Sequence, residues 1–287
     1  MAFRNIRDVL AAWEEGRCWN SFFYKVATPT INGGRWGDMA MGAGTPVYQP
    51  YVGNAQEATP IIGQKNQGIN TGPQPAAGME KYLAGWSFMT PSTLGLPYPI
   101  YLCDYLMFYP LIDGDSTDEQ VLDNTATLPR YTDGEGVQAM LVCTVPVPSD
   151  ATIQIRFTDS DGVERTTTQR IWNSTVSGDL LNLDSSNGVT ANINSFPFIN
   201  IGGARGIRSI NAVTLLTAPG GLFAIVLVKP ITQMLIREGL CVTERCLISQ
   251  FTSLPKIEPG AYLNLLLFTN VNSNPGNIRG QLDFIWG

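Results

Sequence analysis

Histidine is absent from this 287-residue sequence. That single gap excludes Ser-His-Asp and Cys-His nucleophilic centres, histidine general bases and histidine metal ligands together. Charge is scarce as well: 15% of residues are charged, against about 25% in an ordinary globular chain. The net charge of -6 argues against nucleic acid, which would need clustered Lys and Arg, and the best basic pair, Arg205 and Arg208, is too small. The five cysteines (Cys18, Cys103, Cys143, Cys241, Cys246) are odd in number and contain no CxxC. They suit neither a disulfide framework nor a structural zinc site, and read as apolar thiols in a reducing compartment. No long apolar run exists either. The longest, residues 222–228, is far short of the roughly 20 residues that span a bilayer, so no membrane is expected. Arg4, Arg7, Asp8, Glu14 and Glu15 interrupt any secretory h-region, which makes the cytoplasm the expected place of synthesis and folding.

Hydrophobic residues make up 44% of the chain, enough for a substantial core. Low charge beside that fraction implies that protein, and not only water, covers part of the exterior. Residues 5–15 predict a helix: Asn5 is a good N-cap, Ile6, Val9, Leu10 and Trp13 form a stripe, and Gly16 ends it. About three turns are marginal alone, so the stripe docks either on the rest of the chain or on a neighbour.

After an aromatic, strand-like stretch at 17–30 the composition changes. Residues 31–78 hold ten glycines and five prolines, with only Arg35, Asp38, Glu57 and Lys65 charged. Neither helical nor alternating patterning survives, and so long a structureless stretch is anomalous inside a domain. Disorder is one reading. Disordered segments are usually charged and poor in aromatics, however, and this one carries Trp36, Tyr48, Tyr51, Ile61 and Ile62. The reading we favour is an extended arm that places those five residues as anchors on partner subunits.

Residues 79–95 suggest a short helix or an irregular bridge. Strands follow at 100–109 and 137–145, then a hairpin of 153–158 and 163–171 around Asp161-Gly162, whose residues tolerate the positive φ of a tight turn. Residues 173–205 read as a loop. A second hairpin is expected from 207–217 and 222–229, and further strands at 241–251, 261–269 and 281–286. The fold class is therefore all-β, an antiparallel β-sandwich of jelly-roll type. It divides as residues 1–95 (helix and arm) and 96–287 (β domain).

Chemical motifs are weak. Asp159, Asp161 and Glu164 imitate a calcium loop but run straight into a strand, and Asp113, Asp115, Asp118 and Glu119 read as a solvated acidic loop. Gly202–Gly206 leads into a strand and not a helix, which removes the phosphate-cradle reading. Tyr101, Tyr105 and Tyr109 share one strand face by period 2, as core, interface or a sugar platform. We expect no catalytic residue, no metal and no cofactor.

The helix, the Gly/Pro arm and the β domain, with 208–214 leading to Pro219-Gly220-Gly221-Leu222 and 226–230, and later 259–264, resemble virion structural proteins of tailed bacteriophages. The nearest type is the jelly-roll capsid cement or decoration protein. The resemblance implies a place in the virion, with the major capsid protein and copies of itself (a dimer or trimer) as partners. A tail, neck or head-fibre component is the alternative in that setting. A carbohydrate-binding or carbohydrate-cleaving β-sandwich is the alternative from another class.

Overall fold

Asn5 starts the first helix as its side chain predicts, its Oδ1 accepting from the backbone N–H groups of Arg7 (2.9 Å) and Asp8 (3.3 Å). The helix, α1, spans Ile6–Glu14, and Gly16, at φ +71°, ends it in a conformation glycine adopts without strain. The computed structural model describes residues 3, 5–26, 31–63, 67–182, 196–250, 254–272 and 276–287. The strands are β1 (Cys18–Val26), β2 (Arg35–Asp38), β3 (Ala43–Thr45), β4 (Thr59–Pro60), β5 (Lys81–Met89) and β6 (Tyr98–Asp113). Next come β7 (Gln120–Val121), β8 (Gln138–Val145), β9 (Ala151–Asp159), β10 (Glu164–Ile171) and β11 (Ile207–Leu215). The last are β12 (Leu222–Ile236), β13 (Thr243–Cys246), β14 (Lys256–Ile257), β15 (Leu263–Thr269) and β16 (Asn277–Trp286), with a helical turn α2 (Leu247–Gln250) after β13.

These form an antiparallel β-sandwich of three sheets, ordered β2-β15-β6-β12-β8, β10-β9-β11-β7 and β13-β5-β16-β1-β3. The first is central because β6 and β12 are long enough to run under both others, paired from Asp113↔Leu222 to Tyr98↔Ile236. On one face, Met107, Tyr109, Ile225 and Leu227 meet Ile153, Ile155 and Phe157 of β9. Further along, Ile100, Leu102, Met234 and Ile236 meet Trp86, Phe88, Leu282 and Phe284. The opposite face, with Cys103, Tyr105, Val226 and Val228, forms a third core. Between the two cores that share a face, Asp104 and Lys229 stand opposite each other in register, a polar seam in an otherwise apolar surface.

The third core corrects the arm expectation. It is covered by Trp36, Ala40, Met41, Tyr51 and Ile61, of which Trp36, Tyr51 and Ile61 were expected as anchors on partner subunits. The first 95 residues also supply the strands on both sides of β16, since β1 pairs it from Cys18↔Ile285 to Val26↔Asn277 and β5 pairs its other edge. The division expected at residue 95 is therefore not a boundary in the hydrogen bonding.

Three further local readings change. Residues 81–89 form a strand, because Leu83, Trp86 and Phe88 enter one core while Tyr82 and Ala84 pack beneath α1. The segments 207–215 and 222–236 are not a hairpin: β11 pairs with β9 and β7, β12 with β6 and β8, and the turn at 218–221 crosses between layers. The tyrosines of β6 do not share a face. Leu227 pairs with Met107 and Val228 with Tyr105, so Leu106 is an extra residue. That bulge reverses the parity, leaving Tyr105 in the third core and Tyr109 in the first.

Candidate partner-contact surface

The five expected anchors split into two groups. Trp36 sits on β2, the edge strand paired with β15, its ring 5.3 Å from Tyr101 and 5.5 Å from Phe268. The Tyr51 ring lies 5.4 Å from Phe108, and Ile61 is tied to β6 by its N–H to the Leu106 carbonyl (2.8 Å). These three are used within the chain. Tyr48 (49% exposed) and Ile62 (53%) remain outside, with Val47 and Val52 also exposed.

Irregular backbone laid over a core leaves carbonyls that need donors, and buried cations supply them. Lys25, on the inward face of β1, donates to the carbonyls of Gly42 and Pro46, both at 2.7 Å. Lys81 donates to Thr71 (2.6 Å) and Pro73 (2.7 Å). Arg130 reaches the Ile61 carbonyl at 3.2 Å, and Arg35 binds the Asn173 carbonyl. Asp38 completes this frame, accepting from the hydroxyls of Tyr51 (2.5 Å) and Tyr105 (2.6 Å) and from the Ala40 N–H (2.8 Å). Burial pushes the Asp38 carboxyl up, and the two tyrosines, the Ala40 N–H and Lys25 pull against it. Buried charges so arranged hold backbone in place.

Two of the clamps, Lys25 and Lys81, carry a pH signature, and Lys81 serves as the test. Burial lowers the Lys81 ammonium to about 8, whereas in the unfolded chain it titrates near about 10.4. Between those values the unfolded state binds more protons, so stability from this site rises with pH. Compared with Lys81→Met, the wild type should gain on the order of 1 kcal/mol between pH 7 and pH 10, a figure discounted for partial solvent screening. Urea midpoints of both proteins at the two pH values check this. An unchanged difference would refute it.

The acidic loops are occupied by their own neighbours. Asp159 accepts from the N–H groups of Asp161 and Val163 (both 2.9 Å) and pairs with Arg165. Asp161 pairs with Arg205 at 2.5 Å, and Glu164 accepts from Asn211 at 2.8 Å. Asp113 caps its own turn through the Asp115 N–H (2.9 Å), and Glu119 pairs with Arg156 at 3.0 Å. Among the described residues no group of three or more His, Cys, Asp or Glu could hold a metal ion, and no helix is long and apolar enough to cross a membrane.

Two clefts open on the surface. One of about 730 Å³ is lined by Gln233, Arg237, Glu238, Cys241, Glu244 and Arg245, balanced in charge. The other, about 320 Å³, is uncharged and lined by Trp19, Gln67, Asn70, Thr71 and Gln74. Helix α1 is an exposed apolar feature. Its Val9 and Ala12 pack on Tyr82, Ala84 and Ile285, while Ile6 (56% exposed), Leu10 (49%) and Trp13 (48%) face outward. The stripe expected to dock as a unit is thus divided, and its larger part has no cover among the described residues.

No protein-family model matches the chain, and no curated protein sequence does. Among solved structures it is similar to the infectious bursal disease virus Gt strain, at 10% identity over 94% of this chain and 80% of that one, with a TM-score of 0.19. It is likewise similar to the VP2 subviral particle of that virus, at 11% identity over 94% and 79% of the two chains, with a TM-score of 0.17. Likeness this slight leaves the function to be read from the chain's own residues.

The outward stripe of α1 was legible in its spacing. The carbonyl clamps were not, because each joins a side chain to backbone whose position only the folded sheets define. The available signal was a lysine at positions 25 and 81, each the one charged residue of its strand.

Proposed function

We propose that the chain is a non-enzymatic structural subunit of a virion that binds and reinforces a capsid shell, in the manner of a cement or decoration protein. The observation that carries this reading is the set of large apolar side chains held at the surface: Ile6, Leu10 and Trp13 on α1, and Val47, Tyr48, Val52 and Ile62 on the outer side of the 31–62 cover. A stripe of exposed apolar side chains, as on α1, marks an interaction site. The interior acids and cations are engaged as structural clamps, which fits a scaffold. A ligand that binds the assembled shell and not free coat subunits shifts the equilibrium towards assembly. Several such contacts per copy, repeated over a shell, give avidity that a single weak patch lacks.

Quantitative mass spectrometry of purified virions tests the proposal. A copy number comparable to that of the coat subunit is expected. A few copies per particle would move the chain to the tail, neck or head fibre, and absence from the particle would overturn the reading.

A further inference from the structure

The outward face of α1 is self-complementary, and we propose that two copies of the chain pair through it, antiparallel, with Leu10 on a two-fold axis. At about 100° per residue, Leu10 lies at the middle of the exposed arc, with Ile6 and Trp13 on one flank and Arg7 and Glu14 on the other. All five are exposed, whereas Val9 and Ala12 on the opposite side are buried. Each flanking pair is separated by two turns, and both pairs are centred on Leu10.

A two-fold axis perpendicular to the helices keeps each flank on its own side and reverses its direction. It therefore brings Ile6 of one copy against Trp13 of the other, and Arg7 against Glu14, twice each. A parallel arrangement would bring the apolar flank of one helix against the charged flank of the other. Neither Arg7 nor Glu14 has an ion-pair partner within the chain among the described residues. The pair is thus specified both by apolar spacing and by charge, the two devices that set register between helices.

Three half-exposed side chains per copy bury far less than the roughly 1,200 Å² of stable complexes. The contact is accordingly weak between free subunits and gains strength where several copies are held together. It needs no virion and is tested on the purified full-length chain, so its failure leaves the shell reading untouched.

Helices packed with axes about 8–10 Å apart bring facing Cα atoms at radius ~2.3 Å to roughly 4–5 Å, within the range a disulfide accepts. In a background with Cys18→Ser, Cys241→Ser and Cys246→Ser, Leu10→Cys should form a covalent dimer on mild oxidation. Glu15→Cys, exposed at the C-cap of that helix and off the axis, should not. Sedimentation equilibrium of the wild type should show a dimer growing with concentration. Arg7→Glu should weaken it about tenfold, and the double exchange Arg7→Glu/Glu14→Arg should restore it. Circular dichroism confirms that each variant is folded; the changed residues are exposed except Cys18, which is half-buried and takes the near-isosteric serine. Equal cross-linking at positions 10 and 15, no cross-linking at either, or failure of the double exchange to restore the dimer would each overturn the pairing.

Discussion

Deleting residues 1–78 is expected to leave a chain that does not fold. The reason lies in what the segment covers. Without β1, strand β16 loses the partner that pairs it from Cys18↔Ile285 to Val26↔Asn277, and a bare apolar edge invites aggregation. The same deletion takes Phe23, Ile31, Met39 and Ile69 from one core and Trp36, Ala40, Met41, Tyr51 and Ile61 from another. At about 1.5–3 kcal/mol for each large side chain, the loss exceeds the 5–15 kcal/mol by which a domain is ordinarily stable. Tyr105 would also lose Asp38, the acceptor of its buried hydroxyl at 2.6 Å. Deleting only residues 1–16 should be tolerated, because α1 contributes little more than Val9 and Ala12 to a small cluster. Far-ultraviolet circular dichroism, gel filtration and urea titration of the two truncations decide the matter. A monomeric, cooperatively unfolding 79–287 fragment would show that the cover is dispensable and that the arm is free to serve partners.

That outcome bears on how much of the molecule could be read in advance. Elements whose signals are local were legible. The Asn5 cap, the Asp-Gly turn that joins β9 to β10 and the apolar run of β15 each state their structure within a few residues. Strand β5 was misread because both of its faces are buried, which removes the alternation that identifies a half-exposed strand. The pair β11 and β12 was misread because its turn chemistry is that of a hairpin, whereas the pairing is decided by the distant strands β9 and β6.

The largest misreading, the free arm, came from treating missing periodicity as missing contacts. Residues 31–62 have no repeating pattern because their backbone is satisfied by particular side chains far away in sequence. Arg130, for instance, lies 69 residues from the Ile61 carbonyl it binds. A sequence records such donors only as isolated charges in apolar surroundings. The outward stripe of α1 was visible as apolar spacing, but the sheet beneath it determined which of those residues turn away from the core.

Replacing Arg130 by alanine should cost about 3–5 kcal/mol near neutral pH, the loss typical when one partner of a buried ion pair is removed. Its guanidinium forks onto Asp104 through Nε (2.8 Å) and Nη2 (2.7 Å), and also binds the carbonyls of Tyr105 (2.9 Å) and Ile61 (3.2 Å). The two side chains are 5% and 0% exposed. This one residue therefore joins the polar seam of the central sheet to the covering segment. Burial pushes the Asp104 carboxyl up, and Arg130 and the Tyr262 N–H oppose it. In Arg130→Ala the largest opposing influence is gone, so the folded-state value rises further above the roughly 3.9 of the unfolded chain. A carboxyl raised in this way favours folding most below the unfolded value, and the favour is lost as pH rises through the folded value. The deficit of the variant relative to wild type should consequently be largest at pH 7 and shrink towards pH 4. Lysine in place of Arg130 should recover only part of the loss, because an ammonium cannot make the planar fork. The double change Asp104→Leu/Arg130→Met should recover most of it, because no charge is then left buried. Urea midpoints of the four proteins at both pH values measure these differences, and a deficit under about 1 kcal/mol for Arg130→Ala, within the range of an exposed pair, would mean that the bridge does not hold the cover to the sheet.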